Sequence, residues 1–233
     1  GTGIDRYDDN TPTVWEEADG AGQSAGIRSV NGGSAGASIE VTPSVLPDGL
    51  TGYFAYTADS GGGSSINDKT SGSAPSLSGS GWDIALSVGE DMHGVSGLTL
   101  YGGMSEVDQN THYSSVNGNK EQHVIGAKYA MGGFTVGYQQ SNDETGLTGT
   151  AEYDNIAYGI TFSVNDDLSI GFGHTESDQS GGANDPEADS IQIAYTMGGA
   201  TFRIAEVDVE NSGYQSAASA DQSATILSLG LAF

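Results

Sequence analysis

The sequence predicts an all-β protein, a transmembrane antiparallel up-and-down β-barrel. Three observations predict it: apolar residues recur at every second position through most of the chain, short turns alternate with long polar linkers, and glycine is frequent. Glycine accounts for 37 of the 233 residues and occurs singly within apolar segments, without the period of collagen. This composition disfavours helices and suits tight turns between closely packed strands.

The prediction of a membrane barrel depends on the alternation, because the chain lacks the apolar stretch of about 20 residues that a spanning helix needs. A tilted β-strand crosses a bilayer with about 10 residues that alternate between apolar and polar faces. Average hydropathy does not detect such strands. Short turns at one end of the strands and long loops at the other are typical of outer-membrane barrels.

The first third of the chain is predicted to contain one long loop and one strand pair. Residues 1–35 have weak periodicity, many glycines and two acidic clusters, so they are assigned to the loop. Ala37–Thr42 and Leu50–Thr57 are predicted strands around a Pro-Asp-Gly turn. The whole chain then has about eleven strands. The alternative takes Ala25–Val30 as a further strand, which makes twelve.

From Gly81 to the end the sequence predicts a row of hairpins, each with one apolar and one small or polar face. The apolar positions, strand by strand, are Trp82, Ile84, Leu86 and Val88; Leu98 and Leu100; Ile125, Ala127, Tyr129 and Met131; Phe134, Val136 and Tyr138; Ile156, Tyr158, Ile160, Phe162 and Val164; Leu168, Ile170 and Phe172; Ile191, Ile193, Tyr195 and Met197; Phe202 and Ile204; Leu227, Leu229, Leu231 and Phe233.

The connections between these strands alternate in length. Tyr129–Thr135 and Tyr195–Thr201 share the pattern Tyr-x-Met-Gly-Gly-x-Thr, whose adjacent glycines suit the positive φ of a primed hairpin turn. Asn165-Asp166-Asp167 forms a third short turn. Long polar linkers are expected at residues 59–80, 107–120, 141–150, 177–187 and 210–222.

Composition also excludes several function classes. With 31 acidic and 6 basic residues the formal net charge is −25, so the chain has no basic surface for nucleic acid. It has no cysteine, hence no disulfide and no thiolate chemistry. Its histidines form no metal-binding motif, and neither a nucleophile elbow nor a phosphate-binding loop is present, so no enzyme and no cofactor are predicted. The histidines are His93, His112, His123 and His174.

The last strand and the repeated turns carry a family resemblance. Ala224–Phe233 ends in an aromatic residue preceded by alternating apolar residues, which is similar to the signal read by the outer-membrane assembly machinery. With the Met-Gly-Gly turns, the chain resembles a Gram-negative general diffusion porin of the alphaproteobacterial type over nearly its whole length. Such porins are sixteen-stranded homotrimers of the outer membrane whose third outer loop folds into the lumen as a constriction.

The resemblance implies one barrel domain over residues 1–233, with residues 1–35 as the constriction loop and residues 36–233 as strands six to sixteen. The first five strands would be missing, so the natural protein is expected to be longer. The implied function is a water-filled channel for passive diffusion of ions and small hydrophilic solutes. The implied partners are a homotrimer and the lipid and lipopolysaccharide of the outer membrane.

Candidate site residues follow from the resemblance, from the side of the strand on which each residue lies, and from proximity to turns. Acidic loop residues would line the constriction and, with the overall negative charge, favour cations. Charges in mid-strand are expected in the lumen, because facing hydrocarbon costs about 2–4 kcal/mol. The constriction set is Asp5, Asp8, Asp9, Glu16, Glu17 and Asp19; the pore-wall set is Glu40, Lys128 and Arg203; the aromatic girdle at the membrane interface is Trp82, Tyr129, Phe134, Tyr195 and Phe202; the assembly signal is Leu229, Leu231 and Phe233.

Three alternatives stay open at this point. The acidic segments Asp5–Asn10 and Asp178–Asp189 offer oxygen ligands for structural calcium, although solvated loops are the preferred interpretation. A secreted, acidic, calcium-dependent adhesin or matrix protein would need a second apolar layer, which the sequence lacks. A barrel enzyme would need a Ser/His/Asp constellation on its outward side, and the abundance of Ser and Thr leaves that possible.

Overall fold

The computed structural model describes residues 3–7, 10–14, 25–32, 38–58, 78–109, 114–149 and 152–232. Eleven strands form one antiparallel up-and-down sheet in which the strand order is the chain order. The elements are a 3-10 turn (Gly3–Tyr7), β1 (Ser38–Val41), β2 (Leu50–Thr57), β3 (Ser78–Val88), α1 (Glu90–His93), β4 (Leu98–Gln109), β5 (Lys120–Met131), β6 (Phe134–Glu144), β7 (Glu152–Ser163), β8 (Leu168–Gln179), β9 (Glu187–Met197), β10 (Ala200–Glu210), a 3-10 turn (Ser212–Tyr214) and β11 (Gln222–Leu231).

The strand count confirms the prediction of about eleven, and the twelve-strand alternative is wrong. Ala25–Val30 forms no strand. Its backbone carbonyls form hydrogen bonds that are not part of a strand pairing. The carbonyl of Ala25 accepts a hydrogen bond from the amide of Gly213 at 2.8 Å, and the carbonyl of Arg28 accepts one from the side-chain amide of Asn155 at 3.0 Å. The segment therefore lies against the sheet instead of extending it.

The chain divides into two compact units, each built from segments that are distant in sequence. Unit 1 comprises Gly1–Asp9, Ser29–Ile125 and Ser141–Tyr153. Unit 2 comprises Asn10–Arg28, Gly126–Gln140 and Asp154–Phe233. Each unit thus contains part of the predicted N-terminal loop together with its own strands.

In both units the sheet has an apolar face that is exposed and a face of small and polar residues that is buried. In β3 of unit 1, Ile84 and Leu86 are exposed while Asp83 and Ala85 are buried. In unit 2, Leu227 of β11 is 74% exposed, whereas Val207 of β10 is fully buried. We call these the apolar face and the covered face. This arrangement inverts that of a soluble protein and suits contact with lipid.

The polar linkers are shorter than predicted, because the strands continue into them. β4 runs to Gln109 and β6 to Glu144, and Glu176 of β8 pairs with Glu187 of β9. Beyond the apolar band both faces carry polar residues, so the alternation that marks a strand disappears from the sequence. The backbone ladder does not depend on that alternation and continues.

In each of the two Met-Gly-Gly turns, the first and the second glycine have different roles. The first glycine has positive φ, +59° in Gly132 and +61° in Gly198, as predicted. The second does not, which is the pattern of a type II′ turn. A Cβ at Gly199 would lie 2.8 Å from the carbonyl oxygen of Ala232, so this glycine permits close approach of the neighbouring segment. The connection after β3 contains the short helix α1, which the sequence did not predict.

Among the described residues, no helix is long and apolar enough to cross a membrane.

Replacing Gly199 by alanine is expected to destabilise the protein by about 1–3 kcal/mol, because the new methyl group would displace the carbonyl of Ala232. The measurement is thermal unfolding in detergent. Gly118→Ala is the matched control, since a Cβ there meets nothing within 4 Å and the residue does not have positive φ. Equal melting temperatures for the two variants would contradict the explanation.

Candidate functional site

The first 3-10 turn packs on the covered face of unit 1. Ile4 and Tyr7 are buried in one apolar cluster with Ala85 and Tyr101, and the rings of Tyr7 and Tyr101 stack with centroids 4.8 Å apart. The Tyr7 hydroxyl has no hydrogen-bond partner in the described part of the chain. Burial, the main cause, raises the pKa of Tyr7, as does nearby Tyr53, while Arg6 opposes them. Apolar contacts thus hold one side of the turn.

Glu40 provides the polar anchor of this turn. It accepts a hydrogen bond from the amide of Gly3 at 2.8 Å and forms an ion pair with Arg6. The Arg6 guanidinium also lies 4.0 Å above the ring of Tyr53. These contacts join both ends of the turn to β1 and β2.

Asp83 lies on the covered face where two glycines approach it. The register places Asp83 beside Ala55, and Ala55 beside Glu40, in one row across β1, β2 and β3. A Cβ at Gly3 would lie 2.5 Å from the Cβ of Asp83, and a Cβ at Gly32 would also collide with Asp83. Larger residues at these two positions would therefore push the segment off the sheet.

A second polar group anchors residues 29–32 within unit 1. The side-chain oxygen of Gln122 accepts from the amides of Asn31 and Gly32 at 3.1 and 2.8 Å. Lys120 donates to the Asn31 side chain at 2.6 Å and lies 3.9 Å from fully buried Asp143. Lys120 thus connects residues 29–32 with the carboxylate of Asp143 on β6.

In unit 2, residues 10–14 lie over strands that carry glycine on the covered face. Pro12 contacts the positions of Gly137 and Gly159, where a Cβ would collide with it. A Cβ at Gly171 would lie 2.7 Å from Val14. These three strand glycines therefore allow the segment to lie directly on β6, β7 and β8.

Residues 25–28 cover a further part of unit 2. Ala25 is buried in a cluster with Ala188, Ala205, Val207 and Val209. In a separate contact, the Arg28 amide donates to the Tyr214 hydroxyl at 3.2 Å, and this hydroxyl lies 2.7 Å from the Ser177 hydroxyl.

Positive charge is confined to one face of the described sheet, whereas carboxylates occur on both, since Glu40, Asp83 and Asp143 lie on the covered face. The five described lysines and arginines lie on the covered face or in the segments that cover it: Arg6, Arg28, Lys120, Lys128 and Arg203. In unit 2, a series of carboxylates lies on the same side of the strands as the apolar residues. They are closer to the long connections than the apolar residues are. These carboxylates are Asp154, Glu176, Asp178, Glu187, Asp189, Glu206, Asp208 and Glu210.

The predicted pore-wall residues all share the covered face with small residues. Glu40 anchors the first turn, as described above. The Lys128 ammonium lies 3.4 Å from the side-chain oxygen of Asn10, which belongs to the covering segment. Arg203 lies two positions before buried Ala205 on β10. Of the constriction set only Asp5 is described, in the first 3-10 turn; Asp8, Asp9, Glu16, Glu17 and Asp19 lie outside the described residues.

The predicted girdle residues share the apolar face. Tyr195 pairs with Phe202 beside a short turn, and Phe134 stacks on Phe162 with centroids 4.2 Å apart. Tyr129 flanks the other Met-Gly-Gly turn, and Trp82 pairs with Tyr56 and Glu106. Of the assembly signal, Leu229 and Leu231 are exposed on the apolar face, and Phe233 lies outside the described residues.

One side-chain group is not evident from the sequence pattern. His174 is one of four histidines scattered along the chain, yet the β8–β9 register places it directly beside Asp189. Its Nδ1 lies 2.8 Å from a carboxylate oxygen of Asp189 and 3.7 Å from one of Glu187. The signal in the sequence is the register: if Ile170 pairs with Ile193, the same antiparallel register pairs His174 with Asp189.

The sequence pattern of Gram-negative porins matches residues 3–231. The chain therefore belongs to the Gram-negative porin family, whose members lie in the outer membrane. This finding does not support the alternative of a secreted matrix protein. No curated protein sequence matches the chain.

Solved porin structures share the fold. OmpF of Salmonella typhi in complex with daunomycin has a TM-score of 0.59 at 12% identity, over 83% of this chain and 61% of that one. The anion-selective porin of Comamonas acidovorans has a TM-score of 0.55 at 13% identity, over 76% and 50%. A porin refined at 1.8 Å has a TM-score of 0.56 at 14% identity, over 83% and 60%. The matched part thus spans about half to three fifths of these porins.

Replacing Glu40 by glutamine should loosen the first 3-10 turn, because the charge that pairs with Arg6 is lost while an acceptor for the Gly3 amide remains. Both side chains are partly exposed, so the loss is about 1 kcal/mol, or about fivefold in local opening. The measurement is amide hydrogen exchange of residues 3–7 in detergent. Glu90→Gln in exposed α1 is the control, and unchanged protection in Glu40→Gln would exclude the anchoring role.

Proposed function

We propose that this chain forms part of the wall and the constriction of a water-filled channel for the passive diffusion of ions and small hydrophilic solutes. It works as a homotrimer in the outer membrane, with lipid and lipopolysaccharide against its outward side. Neither a reaction nor a bound cofactor is needed for this function. Calcium at the acidic loops stays a prediction.

The observation that carries this proposal is the exposure of the apolar face of the sheet, together with the presence of charged side chains on the covered face. Apolar side chains such as Ile125, which is 63% exposed, are costly in water and favourable in hydrocarbon. Charges placed on the other face need water or an oppositely charged partner. A hydrated lumen supplies that water, and the covering segments 3–7, 10–14 and 25–32 then narrow it by lying along its wall.

The ion preference of the channel depends on the charges that face the lumen, not on the total of −25. The carboxylates of Glu206 and Asp208 lie on the lipid side and are separated from the ion path by the wall. On the covered face, Glu40 and Arg6 offset each other. We propose that the acidic loop segment containing Asp5 gives the channel its preference for cations, and that Lys128 and Arg203 moderate it.

The test is conductance of the purified natural protein in a planar bilayer, with the reversal potential recorded in a salt gradient. Ohmic openings in groups of three are expected for a trimer, together with oligomer mobility that changes on heating. A folded oligomer without conductance would contradict the open channel. Single openings alone would contradict the trimer.

Three variants test which face sets ion preference. A unit charge about 10 Å from an ion in water changes its energy by about 0.4 kcal/mol, or about twofold in permeability ratio. Asp5→Asn should therefore lower the cation preference about twofold, and Lys128→Gln should raise it about twofold. Asp208→Asn, on the opposite face, is the control and should leave the reversal potential unchanged. A shift in Asp208→Asn as large as that in Asp5→Asn would contradict the assignment of faces.

A further inference from the structure

The pairing of β8 with β9 brings three metal-ligating side chains together on the apolar-face side of unit 2. His174 stands opposite Asp189, and Glu176 stands opposite Glu187 in the next row. One ligand atom each from His174, Glu187 and Asp189 lies within 4.8 Å of the others, a grouping found nowhere else in the described part of the chain. The three belong to two neighbouring strands, whose backbones hold them in place.

The distances suit a small tetrahedral ion. Bonds of about 2.0 Å to such an ion separate its ligand atoms by about 3.3 Å. From Nδ1 of His174, the carboxylate oxygen of Asp189 lies at 2.8 Å and that of Glu187 at 3.7 Å. The two carboxylate oxygens lie within 4.8 Å of each other, so these two side chains would have to close in by up to about 1.5 Å to surround one ion with the imidazole.

The other ring nitrogen of His174 has the surroundings that a ligating histidine requires. Its Nε2 lies 3.5 Å from a carboxylate oxygen of Glu176. In metal sites a carboxylate commonly accepts the proton of the non-ligating nitrogen, which orients the ring and directs the lone pair of the other nitrogen at the metal. Glu176 and the pair Glu187 and Asp189 thus approach the imidazole from its two opposite nitrogens.

Burial holds the imidazole in this orientation. The His174 side chain is only 8% exposed, and its ring stacks on Tyr158 with centroids 4.6 Å apart. Glu187 and Asp189 are each 46% exposed, so an ion can enter past them. The site therefore combines one fixed ligand with two adjustable ones and leaves a coordination position for solvent.

We propose that His174, Glu187 and Asp189 form a zinc-binding site, with Glu176 as the residue that positions the imidazole. A nitrogen ligand favours Zn²⁺ over Ca²⁺, which prefers six to eight oxygen ligands. Bound zinc links β8 to β9 where the apolar band ends at Phe172 and Ile191. The site lies apart from the ion path, so this proposal does not depend on the channel function.

The experiment is calorimetric titration of the full chain, without a histidine tag and in detergent, with Zn²⁺ alone. One ion per chain is expected. His174→Gln and Asp189→Asn should each weaken binding at least tenfold, and Glu176→Gln about tenfold. Excess Ca²⁺ should leave the zinc isotherm unchanged, and bound Co²⁺ should show the absorption of a tetrahedral complex.

His123→Gln is the matched control, because His123 occupies a strand outside the cluster, and zinc binding should be unchanged in it. Wild-type affinity in both His174→Gln and Asp189→Asn would overturn the proposal, since zinc would then bind the acidic surface at large. Absence of binding, or displacement of zinc by Ca²⁺, would also overturn it. Mobility that changes on heating identifies folded variants, and Asp189→Asn decides the matter if His174→Gln does not fold.

Discussion

The constraint on which this structure depends is that hydrocarbon offers no hydrogen-bond partners to a peptide backbone. Strands that cross lipid must bond to one another, and their outward side chains must be apolar. Because strand side chains alternate, the same constraint leaves every second residue free to be small, polar or charged. Asp83, between Ile84 and the partly exposed Trp82, illustrates both consequences within three residues.

The covered face makes a second demand, because polar groups there need partners or water. The N-terminal segment supplies many of them: its amides bond to Glu40 and Gln122, and its side chains bond to Lys120 and Lys128. Close contact also requires positions without a Cβ, such as Gly3 against Asp83 and Gly137 against Pro12. These glycines allow the covering segments to lie directly on the sheet.

The membrane-crossing parts of the strands and their short turns could be predicted, because lipid imposes a period of two on the sequence. The strand extensions could not, since residues such as Glu176 and Glu187 lie above the apolar band, where nothing enforces alternation. The partners of Glu40 lie 34 and 37 residues away in sequence, and the two proposed co-ligands of His174 lie 13 and 15 residues away. Only the register and the path of the N-terminal segment bring such residues together.

The position of many carboxylates on the outward side of the sheet changes how the composition is interpreted. An excess of carboxylates would favour cations throughout the channel if all of them faced the lumen. The strand pattern instead assigns a series of them, from Glu176 to Glu210, to the outward side beyond the apolar band. In the proposed channel, the wall and the surrounding ions would screen them from the pore. Its selectivity would then be set by the few charges next to the ion path, and the outward carboxylates would face the membrane surface.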